Sequence, residues 1–522
     1  MPPQVKPRLF RAIRRRWRPA ALLAMATLVS VLILQSGRRV PGTRAWKTTL
    51  SLPNVTYEED EEFEEALQIQ FQPLFPADSD FWVISAFLDQ RPLLENIDSP
   101  LSIIVLGVGH REKMDAFGDL SCQVRFDDEQ IFVSPARLTR YIDDRVIFDD
   151  ATMLHCDLPY KPESVDWCPI IRSVKSVSFI RPADNTSSIS LPVDHVDLNF
   201  CQRDESLVDA IDERLVENNC SANSTDPECH SFGMCISPIR GDKYASNVDE
   251  FLNHYIRLAG GSRILFMMYN ASAGPKTSKV LNERSVQDDI RLLQWRTEHP
   301  EFPGFFADFN KVIWENGQTL MLLDCLNRLI GKVRWLGVVD LDEYIVGRCD
   351  GAESLIDIFR HATGSDRLSS DQFQDQPRWS SGPWPCSFSF RSAFFPLVCK
   401  QPHPVESIFD YVIRSDWFPV HDRSKYFVDT LRLGRPFVHY PKSYVGDVVP
   451  GSVQEVIVPV ELAAVHHYRH DDRASDENPH LQTENCSEFT IQIFEDPHLD
   501  YLTTTTDIVD LSAYSQPMQQ CS

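Results

Sequence analysis

Val333-Arg-Trp-Leu-Gly-Val-Val339, followed at once by Asp340-Leu-Asp-Glu343, is the stretch on which the fold turns. A short, nearly unbroken apolar run of this kind reads as a strand buried on both faces. Three carboxylates stand at its carboxyl end, where open α/β sheets bind their ligands. Carboxylates at i and i+2 reach one cation where a strand ends or turns, and hard oxygen donors suit Mg or Mn better than zinc. An EF-hand calcium loop is excluded, because Leu341 and Tyr344-Ile-Val346 stand where its ligands and glycine would be. Taken alone, the run reads at least as readily as an acidic turn with no ion, since short acidic motifs are common.

Outward from this strand, helical and extended patterns alternate. Upstream, Gln318 to Ile330 has helical spacing, with Asp324, Asn327 and Arg328 on one face and leucines on the other, and Gly331 ends it. Further upstream, Val248, Phe251, Leu252, Tyr255 and Ala259 recur at helical spacing after Ser246, a candidate cap, and before Gly260-Gly261. The strand Arg263–Tyr269 follows. Helices separating near-continuous apolar strands predict an α/β domain with a mostly parallel sheet. From Phe81 to about Val196 the pattern changes to short alternating runs with turn-rich joints, which predicts a β-rich, sandwich-like domain. The acidic pairs there, such as Asp127-Asp128, read as turns.

The full chain has 522 residues and a net charge of -24, enough length for two or three domains. Its first eighteen residues hold Lys6, Arg8, Arg11, Arg14, Arg15, Arg16 and Arg18 and no acid, so the remainder is more acidic still. Nucleic acid is thereby excluded as a partner of that remainder. Ala20 to Leu34 is uncharged and apolar, and Gly37-Arg-Arg39 follows. A cleaved signal peptide competes with a membrane anchor for this segment, but no small-residue cleavage site ends it, so the anchor fits better. The basic side then stays cytosolic and the carboxyl-terminal bulk lies in the lumen of the Golgi or another secretory compartment. All thirteen cysteines lie at or beyond Cys122, on the side expected to be oxidising. Glycosylation sequons at Asn54, Asn185, Asn219, Asn223, Asn270 and Asn485 fall there as well. Cys201, Cys220, Cys229 and Cys235 lack zinc spacing and read as a disulfide-stapled linker. An odd cysteine count leaves a thiol over, and Cys325 is the candidate.

The resulting division is a basic tail (1–18), a transmembrane signal-anchor (19–36), an acidic stem (37–77) containing Glu58 to Glu65, a β-rich domain (78–200), the Cys-rich linker (201–235), a catalytic domain (236–480) and a tail (481–522).

Several runs, in this order, resemble glycosyltransferase family 92: Phe81–Arg91, Cys235–Pro238, Asn247–Gly261, Ile264–Asn270, Gln318–Arg328, Trp335–Ile345, Arg423–Val428, Val438-His439 and His466–Arg469. The resemblance implies a GT-A, Rossmann-like fold, an inverting mechanism, and β-galactosyl transfer from UDP-galactose to a glycan. It matches Asp340 and Asp342 to the motif that holds a divalent metal, Mn or Mg, and the nucleotide-sugar, with Glu343 at the acidic position beside them. It makes His467 the histidine that completes the metal site and Lys425 a partner for the diphosphate, with His439 a weaker candidate. An inverting enzyme needs a general base near the acceptor hydroxyl, and Asp410 and Asp416 are the candidates. Trp379 and Trp384 read either as sugar-stacking residues or as core. A membrane-anchored carbohydrate-binding protein with a silent GT-A-like domain is the alternative. A two-metal hydrolase lacks its second cluster of ligands.

Overall fold

The computed structural model describes residues 68–75, 78–89, 91, 101–109, 119–140, 150–158, 173–181, 185–195, 230–286, 289–296, 317–349, 351–363, 385–397, 407–411, 414–445 and 454–469. The predicted tail, anchor and stem up to residue 67 lie outside them, as do Trp379, Trp384, Asn54, Asn219, Asn223, Asn485 and the cysteines of the predicted linker other than Cys235. Among the described residues no helix is long and apolar enough to cross a membrane.

The chain begins with β1 (Gln68–Gln70), β2 (Gln72–Phe75), β3 (Asp78–Asp89), β4 (Ser102–Gly109), β5 (Ser121–Phe126), β6 (Ile131–Arg140), β7 (Asp150–Asp157) and β8 (Val174–Arg181), then three short pairings, β9 (Thr186–Ser187), β10 (Leu191–Pro192) and β11 (Asp194–His195). Most of these form one ten-stranded, almost wholly antiparallel sheet. It curls because β6 changes partner along its length, pairing with β5 up to Pro135 and with β7 from Ala136. A core of Phe81, Val83, Ile103, Val105, Val124, Val177 and Phe179 fills the curl, and the Cys122–Cys156 disulfide links β5 to β7 across β6.

The second part runs β12 (His230–Gly241), α1 (Asn247–Leu258), β13 (Ile264–Ala273), α2 (Pro275–Ser285), β14 (Ile290–Arg296), α3 (Gln318–Leu329), β15 (Val333–Val339), β16 (Glu343–Gly347), α4 (Leu355–Ala362), β17 (Pro385–Phe390), β18 (Ser392–Pro396), β19 (Lys425–Asp429), β20 (Leu433–Pro436), β21 (Pro441–Tyr444), β22 (Gln454–Val458) and β23 (Ala463–Arg469). An eight-stranded sheet in the order β1-β14-β13-β12-β15-β19-β17-β22 has β15 at its centre. β15 pairs parallel with β12 on one side and antiparallel with β19 on the other. Gly337 permits these neighbours to close in, because a Cβ there would stand 2.6 Å from Met234 Sδ and 2.7 Å from the Phe427 ring. A three-stranded sheet, β16-β23-β18, lies beyond the end of β15.

The expected α/β, GT-A Rossmann-like fold with a mostly parallel sheet is therefore corrected. Strands dominate, twenty-three against four α-helices among the described residues, and the largest sheet is an antiparallel half-barrel. The alternation of helix and strand that suggested a parallel sheet holds only through β15; beyond β16 the chain supplies strands with one short helix, α4, and they pair in mixed directions. The β-rich segment is one continuous curled sheet, because β6 belongs to both of its halves.

Two further expectations change. Ser246 precedes α1 but makes no side-chain cap; it has helical backbone angles and its hydroxyl donates to Asn247 Oδ1. Cys325 is oxidised, paired with Cys235 of β12, so it is neither the leftover thiol nor separate from the predicted linker cysteines. The buried thiol among the described residues is Cys386, which accepts a hydrogen bond from Arg432.

Helix α3 has no wet face. Its leucines pack under the eight-stranded sheet together with Trp82, Ile104 and Leu106 of the curled sheet, so both sheets share this core. The polar face is buried too: Asp324, 0% exposed, accepts hydrogen bonds from Ser85 Oγ (2.9 Å), Tyr269 OH (2.9 Å) and Arg328 Nε (2.7 Å). Removing one partner of a buried ion pair leaves the other charge uncompensated. Asp324→Ala is expected to cost about 3–5 kcal/mol in denaturant unfolding, whereas Ser85→Ala, which removes only a neutral donor, costs about 1 kcal/mol.

Candidate functional site

β15 leaves the sheet at Asp340, and the chain turns back within four residues to start β16. Glu343 closes the turn twice: its N–H donates to Asp340 O (3.0 Å) and its Oε2 accepts from Asp340 N (2.8 Å). Helix α1 supports the far side. Tyr255 OH donates to Glu343 O (3.0 Å) and accepts from Ile345 N (3.1 Å), while His254 Nε2 lies 2.8 Å from Ile345 O. Burial holds His254 down at about 4, so it is neutral here.

Five of the residues singled out in the sequence form the acidic turn or meet it directly: Asp340, Asp342 and Glu343 form it, and Lys425 and His467 meet it. Lys425, the first residue of β19 and fully buried, places Nζ 2.9 Å from Asp340 Oδ2 and 2.9 Å from Glu343 Oε2. His467 sits directly opposite Glu343 in the β16–β23 register. Its Nδ1 is 3.3 Å from Glu343 Oε1, without hydrogen-bond alignment, and its Nε2 is 3.7 Å from Asp342 Oδ1. Phe394 packs edge-on against the His467 ring at 5.1 Å.

Three contributors were not anticipated from the sequence. Asp340 Oδ1 accepts from Ser237 Oγ, beyond Cys235 on β12, and from Gln318 Nε2 (2.9 Å) at the start of α3. Tyr244 OH donates to Asp342 Oδ2 at 3.4 Å. Ser237 and Gln318 both lie inside runs that carry the family resemblance, so a signal was present without a role attached to it.

The electrostatics follow from this arrangement. Burial alone would raise the Asp340 carboxyl, but the Lys425 ammonium and the Ser237 hydroxyl outweigh it and hold it at about 2. Burial pushes Glu343 up, with Asp340 and Asp342 adding to the shift against Lys425. Burial would lower Lys425, yet its two carboxylates raise it, so it stays charged. His439 is held at about 3 by burial and by the nearby Lys425 charge, and is a neutral neighbour.

The base candidates are placed differently. Asp410 ends a single 3-10 turn (Ile408–Asp410), where its Oδ2 accepts from Ser407 N (2.7 Å) as part of a capping box. Asp416 is exposed on the segment before β19. Asn270 lies within β13, its Oδ1 accepting from Ala273 N (2.8 Å), and Asn185 occupies a turn with φ 56°.

Among the described residues no three His, Cys, Asp or Glu side chains form a ready-made metal cage. The donor set nevertheless suits a divalent ion that keeps most of its positions for water and phosphate oxygen. Asp342 Oδ1 and His467 Nε2, 3.7 Å apart and not hydrogen-bonded, stand at the separation of two ligands on one ion. Asp340 is less free for such a role, since both its oxygens already hold protein donors. Ionised, the three carboxylates outnumber the single ammonium by two charges, which a dication balances.

An acidic strand-end turn, one buried lysine and one cross-strand histidine thus make up the candidate site. The chain matches Glycosyltransferase family 92 over residues 230–506, more than half its length, and it belongs to that family. No curated protein matches it.

Two outcomes test the charge network. Lys425→Met leaves the buried Glu343 and the half-buried Asp340 carboxylates without a counter-ion and is expected to lower stability by about 3–5 kcal/mol, with Glu343→Gln in the same chain recovering part of the loss. Because Asp340 is depressed in the folded protein, its contribution is present above 3.8 and is lost as pH falls through about 2. The stability difference between wild type and Asp340→Asn should therefore be constant near neutrality and shrink between pH 4 and pH 2 (about 2 kcal/mol in all), as read from urea midpoints.

Proposed function

We propose that this glycosyltransferase is metal-dependent and inverting, and that it moves galactose from UDP-galactose in β linkage onto a glycan acceptor. The observation that carries the proposal is the pair Asp342 and His467, at the rim of a site that gathers three carboxyl groups around one ammonium, in a chain of family 92. In this reading Asp342 and His467 hold a divalent ion, Mn or Mg, with Asp340 beside them. The ion supplies neutralisation of the diphosphate as its charge develops on bond cleavage. Lys425 keeps Asp340 ionised and fixes both Asp340 and Glu343 in place, so the floor of the nucleotide-sugar site is preorganised rather than assembled on binding. Tyr244 holds the second oxygen of Asp342 and limits its rotation.

The same reading places the catalytic part in the lumen of the Golgi or another secretory compartment, with residues 19–36 as a type II signal-anchor. The disulfides Cys122–Cys156 and Cys235–Cys325 support an oxidising compartment.

Wild-type protein should transfer galactose from UDP-galactose, lose activity in EDTA and regain it with Mn. Asp342→Ala and His467→Ala should each lower transfer by about 100-fold or more while far-ultraviolet circular dichroism is unchanged. Full activity of both variants, or of wild type in EDTA, contradicts the metal assignment. Preference for another sugar in a panel of UDP- and GDP-sugars corrects the donor. Glycan binding with no UDP release from any donor favours the carbohydrate-binding alternative.

A further inference from the structure

The turn that delivers Lys425 to the site carries a second, separate pair of titratable side chains. His421 Nε2 lies 2.8 Å from Glu455 Oε1 and 2.9 Å from Oε2, and Glu455 also accepts from Ser389 Oγ. A carboxylate accepts and does not donate, so Nε2 carries a proton toward Glu455, and Nδ1 is the ring nitrogen left to exchange a proton. Among the described residues Nδ1 has no partner. His421 is 43% exposed, while its Glu455 partner is 24% exposed.

Backbone geometry holds the pair in place. His421 (φ 68°) and Arg423 (φ 58°) both adopt left-handed conformations that non-glycine residues rarely take. Such a conformation persists only where its surroundings enforce it, and here they do. His421 N donates to Ser424 Oγ (2.9 Å), and Arg423 O accepts from Ser392 Oγ (2.8 Å). The turn also touches the acidic site from two directions. Lys425 follows it and binds Asp340 and Glu343, and the Arg423 guanidinium lies 5.2 Å from the centre of the Phe394 ring that packs on His467. Tyr440, next to His439, faces the His421 ring at 5.3 Å.

We propose that His421, oriented by Glu455, is the general base of the transfer. This rests on the reading under Proposed function, and it takes the place left by Asp410, whose carboxylate is engaged as a cap. In the step, the acceptor hydroxyl gives its proton to His421 Nδ1 as its oxygen bonds to the anomeric carbon. The bond from that carbon to the diphosphate oxygen breaks, and its electron pair leaves with the nucleoside diphosphate. Glu455 stabilises the imidazolium that forms, and the proton then passes to water. The charged or titratable groups around His421 are Glu455 from β22, Tyr440 from the segment before β21, and Asp422 and Arg423 on its own turn.

The test uses the purified full-length protein with UDP-galactose, Mn and a glycan acceptor, and reads kcat, donor KM, UDP affinity and the pH profile. Asparagine tolerates φ near 60°, so His421→Asn keeps the turn while removing the base. It is expected to lower kcat by about 10²–10⁴-fold with UDP affinity and donor KM unchanged, to abolish the low-pH limb of the profile, and to be partly rescued by added imidazole. Glu455→Gln should move that limb to lower pH, because the imidazolium loses its counter-charge. Transfer by His421→Asn within about threefold of wild type, or an unmoved limb, overturns the assignment. If His421→Asn loses its fold or its UDP affinity, Glu455→Gln decides: a shifted limb supports the assignment and an unshifted one overturns it. Wild type that transfers no sugar overturns the reading under Proposed function and this one with it, whereas wild-type transfer with an unaffected variant overturns this one alone.

Discussion

One buried ammonium holds the site together. Lys425 has no contact with solvent and lies 2.9 Å from carboxylate oxygens of both Asp340 and Glu343. Two carboxylates so placed repel each other, and without the lysine at least one would take up a proton or turn outward. With it, the end of β15 and the start of β16 are tied to the first residue of β19, 85 residues beyond Asp340 in sequence. The cross-strand register then determines the rest: Glu343 lies opposite His467, and His467 lies opposite Phe394.

The second constraint is helix α3. Its first residue, Gln318, donates to Asp340, and its middle carries Asp324, which Ser85 of the curled sheet contacts. Cys325, adjacent to Asp324, is covalently joined to β12, two residues before Ser237. The amino-terminal half-barrel is thus mechanically continuous with the floor of the site, through one helix packed on both faces. That arrangement accounts for a buried carboxylate and a half-buried guanidinium on a helix whose other residues are mostly apolar.

Local features were legible where a local rule governs them. The β15 strand, the acidic run at its end, and the spans of α1 and α3 all follow from apolar periodicity and from glycines that end helices. The mixed pairing of the central sheet was not legible, because an antiparallel central strand such as β19, buried throughout, has the same unbroken apolar pattern as a parallel one. Lys425 read as a point charge for phosphate, since nothing in Arg423-Ser-Lys425 indicates that two carboxylates will surround it. Cys325 read as a free thiol because ninety residues separate it from its partner. Ser237, Gln318 and Tyr244 are common polar residues that acquire roles only from the three-dimensional proximity of Asp340 and Asp342. The left-handed turn at His421 contains no glycine, so the usual signal for that conformation is absent.

The central claim is that the excess negative charge beside Lys425 is a seat for one divalent cation held by Asp342 and His467. Electron paramagnetic resonance of Mn titrated into the full-length protein with UDP tests it directly. One bound Mn per chain, with ¹⁵N hyperfine coupling from a single histidine that disappears in His467→Ala, is the predicted result. Absence of protein-bound Mn at millimolar metal, or a histidine coupling that survives His467→Ala, contradicts it.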